Sequence, residues 1–173
     1  MNLEVRPNFT SEAAATAEKN MQELLDRSTV LGVEISPPAL GTNEIIDIFK
    51  RKNPGRLIMV TAKLKNEGID INHLTPQEVL DRLLGVDFVF DLEGKRFSVD
   101  VTTGKDTVIY NKRRKAEGME DISHALGINH AIILRLKEEI SDDLILDFFS
   151  QLEQISQDKT SNYCSILKYS DRN

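Results

Sequence analysis

The sequence predicts an α/β (α+β) fold within one domain, and three observations carry that expectation. Segments 86–92, 95–102 and 130–136 have strand character, and capped amphipathic segments lie before, between and after them. The chain has 173 residues, which suits one domain with a sizeable core. Forty per cent of the residues are hydrophobic, with no Trp and few aromatics, so that core is mostly aliphatic.

In chain order, residues 11–28 read as a helix opened at Thr10 or Ser11, with Met21, Leu24 and Leu25 on its apolar stripe. Leu31–Ile35 reads as a short strand stopped by Ser36-Pro37-Pro38. Glu44–Lys52 reads as helix, with Ile45, Ile48 and Phe49 on one side. Asn53-Pro54 resembles a cap followed by Pro at the first helical position, which predicts a helix over 54–66. The close apolar spacing of Leu57–Thr61 leaves strand as its alternative. Thr75-Pro76-Gln77-Glu78 carries a cap, an N1 proline and a capping box, so a helix runs to Leu84 and stops at Gly85.

Two strands follow, 86–92 and 95–102, then a basic helix over about 105–117 and a helical turn from Met119 to Ala125. HAIILRL, His130–Leu136, reads as a buried strand. Ser141-Asp142-Asp143 opens an acidic amphipathic helix to about residue 156. The tail is polar apart from YCSIL, a candidate edge strand. The expected parts are a helical 1–75, a core over 76–137, a C-terminal helix over 138–157 and a tail over 158–173.

Composition excludes several classes. No apolar run reaches the roughly 18–20 residues that span a membrane, so no membrane partner is expected. The first residues lack the basic-then-apolar order of a secretion signal. A lone Cys164 excludes an internal disulfide and a cysteine-based zinc site. The expected compartment is the cytoplasm. The net charge is −6, but the cations cluster. Lys50, Arg51, Lys52, Arg56, Lys63 and Lys65 fall within sixteen residues, and Lys105, Lys112, Arg113, Arg114 and Lys115 within eleven. Such clusters suit either a face that follows a phosphate backbone or two solvated helix faces.

The chemistry sits in GVDFVFDLEGKRFSVDVTTG. Alternation puts Val86, Phe88, Phe90 and Leu92 on one face of the first strand, and Phe97, Val99 and Val101 on one face of the second. Both sets must meet the core together. A two-residue Glu93-Gly94 loop and a four-residue loop over 92–95 give the same register, pairing Leu92 with Lys95, Asp91 with Arg96 and Asp87 with Asp100. Asp91 therefore has a structural partner. Asp87 and Asp100 are like charges placed opposite, which costs about 0.2–1 kcal/mol when exposed and more when water is excluded. A Mg²⁺-like cation offsets that cost. The structural alternatives are a backbone amide partner for Asp87 and a lysine partner for Asp100.

The order helix, G-x-D strand, turn, V-D-V-T strand and basic helix resembles the PD-(D/E)XK nuclease superfamily over roughly residues 76–137. The resemblance implies a restriction-endonuclease-like core, a central mixed sheet flanked by helices. It implies Mg²⁺ or Mn²⁺ held by Asp87, Asp100 and the main-chain carbonyl of Val101, and a metal-dependent endonuclease, a hydrolase acting on DNA. Thr102 stands where the family has its lysine. Lys112 is the first candidate for a relocated lysine and Lys105 the second. A helix-borne glutamate often completes such sites, for which Glu44 is the candidate, Glu78 being more simply a capping residue. Lys112, Arg113, Arg114 and Lys115 would contact nucleic acid, and a homodimer would allow two strands to be cut. Two other readings stay open, an inactive nuclease-like fold that binds nucleic acid or protein, and an interaction protein docking through its acidic C-terminal helix. His73, His124 and His130 show no metal-ligand spacing, Gly104-Lys105-Asp106 is not a phosphate loop, and Ser98, Thr102 and Thr103 have no evident histidine base.

Overall fold

The structure is a computed structural model that describes residues 9–170. Its helices are α1 (Phe9–Ser28), α2 (Thr42–Lys52), α3 (Pro54–Asn66), α4 (Pro76–Leu84), α5 (Asp106–Gly118), α6 (Glu120–Ala125) and α7 (Asp142–Gln157). Its strands are β1 (Ile35–Ser36), β2 (Phe88–Leu92), β3 (Lys95–Thr102), β4 (His130–Leu136) and β5 (Cys164–Tyr169). They form one five-stranded sheet in the order β1-β2-β3-β4-β5. The first two pairings are antiparallel and the last two parallel, so the sheet is mixed. Among the described residues no helix is long and apolar enough to cross a membrane.

Local chemistry accounts for the element ends. Asn53 accepts from Arg56 N at 3.2 Å and Pro54 opens α3, so the cap decides for helix over the strand alternative at Leu57–Thr61. Thr75 and Glu78 form the expected capping box, and Gly85 ends α4 in the left-handed conformation at φ 69°. The strand expected at Leu31–Ile35 is shorter and later. Leu31 N and Val33 N both bond Ser28 O, and Gly32 takes φ 82°, so these residues close the end of α1 and only Ile35–Ser36 pairs. Helix α1 begins at Phe9, so Thr10 and Ser11 lie inside it rather than at its cap. The opening residues 1–8, read above for a secretion signal, lie outside the described residues. YCSIL does add a strand, β5, parallel to β4 at the sheet edge.

Both faces of the sheet are covered. Phe90, Phe97, Val99 and Leu134 pack against Ala17, Met21 and Leu24 of α1 and against Ile145, Phe148 and Leu152 of α7. On the opposite face Val89 joins a cluster from α2, α3, α4 and α6, including Phe49, Leu64, Leu83 and Ile122. Helix α5 lays Ile109 on Ala131, Ile133 and Cys164. The parallel crossover from β3 through α5 to β4 buries the hairpin's polar face, leaving Ser98, Asp100 and Thr102 buried with it.

Candidate active site

The hairpin register is the one its alternation predicts. Leu92 pairs with Lys95, Asp91 with Arg96 and Phe88 with Val99. Continuing one residue sets Asp87 against Asp100. Asp87 precedes β2, and its main chain and side chain bracket Asp100. Its N–H donates to Val99 O at 3.1 Å, and its Oδ2 accepts from Val101 N at 2.7 Å.

Gln77 of α4 supplies the other side of this strand. Its Nε2 donates to Asp87 O and its Oε1 accepts from Val89 N, each at 3.0 Å. β1 pairs only with Asp91 and Leu92, so the start of β2 would otherwise present unpaired main-chain groups. One side-chain amide imitates the missing strand and fixes Asp87 to a capped helix.

Asp100 is buried, and Lys112 Nζ donates to its Oδ1 at 2.5 Å. Lys112 projects from α5 onto the hairpin's polar face. Lys105 stands exposed at the N-cap of α5 and carries no ion pair among the described residues. Thr102 has a local task. Its hydroxyl accepts from Gly104 N at 2.9 Å, shaping the turn into α5. A Cβ at Gly104 would approach Val108 Cβ at 2.8 Å, so only glycine lets α5 pack this close. Gly85, Val86, Ser98, Asp100, Lys112 and Lys115 border a cavity of about 20 Å³, room for about one water.

Burial pushes the Asp87 carboxyl up to about 7, although the Val101 N–H opposes the shift. The charge of Asp100, a side-chain hydrogen bond with Asp100 and the charge of Glu18 add to the rise. Asp81 of α4 is also raised, first by burial, with Asp100 raising it further and Arg82 and Lys115 opposing.

Structure and expectation differ over the third acid. Glu44 accepts from Gly41 N at 3.3 Å and so serves the N-terminus of its own helix, α2. The glutamate whose charge raises Asp87 is Glu18 of α1. Sequence spacing offered no sign of this, because α1 reaches the hairpin only through packing across the sheet. Gln77 and Asp81 were missed for a similar reason, since each reads as an ordinary polar position in the first or last turn of α4.

The four cations expected on nucleic acid divide. Lys112 is committed to Asp100. Arg113 pairs with Glu117 at 2.9 Å. Arg114 lies 6.0 Å from the Tyr110 ring centroid, and Lys115 Nζ lies against Gly85. The histidines are elsewhere, His130 stacked on Phe97, His124 edge-on to Tyr163 and His73 near Asp70.

Among the described residues no group of three or more His, Cys, Asp or Glu side chains is arranged to hold a metal. The donors present are hard oxygens, two carboxylates beside a main-chain strand. They fit Mg²⁺ or Mn²⁺, which take one or two protein carboxylates and complete their shells with water and phosphate. Burial is the first cause of the raised Asp87 carboxyl and the facing Asp100 charge adds to it, while Lys112 already balances Asp100. Comparison with family models, with curated proteins and with solved structures found no match.

Proposed function

We infer that this protein is a metal-dependent nuclease of the PD-(D/E)XK type that hydrolyses phosphodiester bonds, with DNA as its substrate. The observation that carries the reading is Lys112 of α5 on Asp100 Oδ1, opposite Asp87, with Thr102 at the usual lysine position. A relocated lysine thus stands beside a facing pair of carboxylates. The order of β2, β3, α5 and β4, antiparallel hairpin then parallel crossover, also suits a restriction-endonuclease-like core.

Asp87, Asp100 and the Val101 carbonyl would hold the metal, which when bound polarises the scissile phosphate and lowers the pKa of a bound water. Val101 N–H keeps the Asp87 carboxylate turned into the site. Gln77 holds the Asp87 main chain, so that carboxylate is aimed from a capped helix rather than from a loose strand end. Lys112 can leave Asp100 to orient the attacking water or to stabilise charge on the phosphate, and Glu18 adds negative charge on the α1 side. Arg114 and Lys115 extend the positive surface along α5.

The test is cleavage of single- and double-stranded DNA and RNA by the purified chain with Mg²⁺, Mn²⁺ or EDTA. Metal-dependent cutting that Asp100→Asn and Asp87→Asn both abolish is the expected result. Binding without cutting under every metal condition, unchanged in Asp100→Asn, would replace the enzyme with a nucleic-acid-binding module of the same fold.

A further inference from the structure

We propose that the elbow between α2 and α3 is a second contact for a nucleic-acid duplex, on which the double-stranded substrate lies while its phosphodiester reaches Asp87 and Asp100. It rests on the nucleic-acid part of the reading above and adds the form of the substrate and a binding surface.

Residues 48–66 contain six cations and no acid, in a chain with 28 acidic residues and a net charge of −6. Some of these cations have local explanations. Lys50 lies 3.8 Å from Asp47 and Lys52 lies 3.7 Å from Asp121. Arg56 Nε donates to Leu83 O at 2.6 Å, where a cation suits the C-terminus of α4. Arg51, Lys63 and Lys65 are exposed and form no ion pair among the described residues. A run of cations with no acid among them in sequence, three of which are left without an ion pair among the described residues, suits a polyanion.

The same helix exposes apolar side chains. Ile58 is 70 % and Met59 58 % exposed. With Gly55, Ala62 and Lys63 they fall on one face of α3 by helical spacing. Hydrophobic side chains on an exposed helix among cations suit a duplex groove, where they meet thymine methyls or wedge between base steps.

The elbow also connects with the candidate active site. Arg56 of α3 reaches the last turn of α4. Lys115 of α5 lies against Gly85 at the end of that turn, and Lys112, one turn earlier, lies on Asp100. Cations therefore run from α3 past the end of α4 to the carboxylates. A flexible single strand has no need of a second rigid support, whereas a stiff duplex entering the site would lie over both.

The experiment measures binding of the full chain in EDTA, where no metal-dependent cutting occurs. The probes are a short labelled duplex, its single strand, and vesicles of mixed phosphatidylglycerol and phosphatidylcholine. The parent should prefer the duplex. Arg51→Ala/Lys63→Ala should weaken duplex binding about tenfold and lower its salt slope by about 2. Ile58→Ser/Met59→Ser should weaken it about tenfold with the slope unchanged. Both variants change exposed residues, and unchanged thermal melts would confirm intact folding. Duplex binding equal to the parent's in both variants would overturn the proposal. So would a loss confined to vesicles, which would make the elbow a membrane contact. Elbow-dependent duplex binding by a chain that never cuts would end the nuclease reading and leave the elbow standing as a duplex contact. Cutting with normal binding by both elbow variants would do the reverse.

Discussion

Two cross-strand positions on one hairpin, four residues apart and on the same face, were given opposite electrostatics. At one end Asp91 faces Arg96, which grips it through Nε at 2.8 Å and Nη2 at 3.1 Å and also donates Nη1 to Leu126 O at 2.7 Å. At the other end Asp87 faces Asp100, with one lysine serving the pair. The first is a closed structural pair whose donors and acceptors are largely satisfied. The second buries two facing carboxyls with a single lysine on Asp100, and leaves the Asp87 carboxyl strongly raised, an arrangement that clusters where the groups have a use. The difference separates an aspartate that holds the hairpin from aspartates that could act.

Activity breaks the comparison most strongly. Asp87→Asn and Asp100→Asn should each lower the cleavage rate by roughly three orders of magnitude or more, while Asp91→Asn should leave it within about threefold of the parent. Equal losses at all three positions would mean that the hairpin only needs its fold. Lys112→Met comes next. It should reduce the rate by about 10²–10³ and, by leaving Asp100 buried without its partner, destabilise the protein by about 1–3 kcal/mol. Adding Asp100→Asn should recover much of that stability and none of the activity. A double variant that melts below both singles would refute the pairing. At the structural end, Arg96→Met should cost about 1–3 kcal/mol, since it strands both Asp91 and the Leu126 carbonyl, with no loss of cleavage. A chemical-denaturation midpoint equal to the parent's would contradict it.

What was legible in the sequence depended on the range of each interaction. The hairpin register was readable because apolar parity allows one alignment, and Asp91–Arg96 and the Asp87–Asp100 opposition follow from it. The α4 boundaries were readable because Thr75, Glu78 and Gly85 act within one helix. Lys112 was within reach because α5 must return over β3, so a lysine two turns into it comes back over Asp100. Glu18, Gln77 and Asp81 were not readable. Their places depend on how α1 and α4 pack, and no local spacing encodes a contact between residue 18 and residue 87. Glu44 shows the converse. Its helix was identified correctly, yet a residue at the third position of a helix is used first by that helix's own N-terminus.

The smallest expected effect is the most particular to the carboxylate pair. The Asp87 carboxyl is raised to about 7, mainly by burial, from an ordinary value near 3.8. A carboxyl raised on folding binds its proton more tightly in the native state than in the unfolded one. Its stabilising contribution is therefore present below about pH 4 and is lost as pH climbs through 7. In metal-free protein, Asp87→Asn should raise the melting temperature at pH 8 by a few degrees and have little effect at pH 4–5. The asparagine carbonyl can still accept from Val101 N–H, so the variant removes the charge while keeping the bond that orients the side chain. Asp91→Asn should show no such gain, because Arg96 already neutralises Asp91. Mg²⁺ should stabilise the parent more as pH rises toward 7 and then level off, since binding there must displace the proton held by Asp87. A melting temperature for Asp87→Asn below the parent's at pH 8, without metal, would mean that the Asp87 charge supports the fold, and the two ends of the hairpin would then be alike.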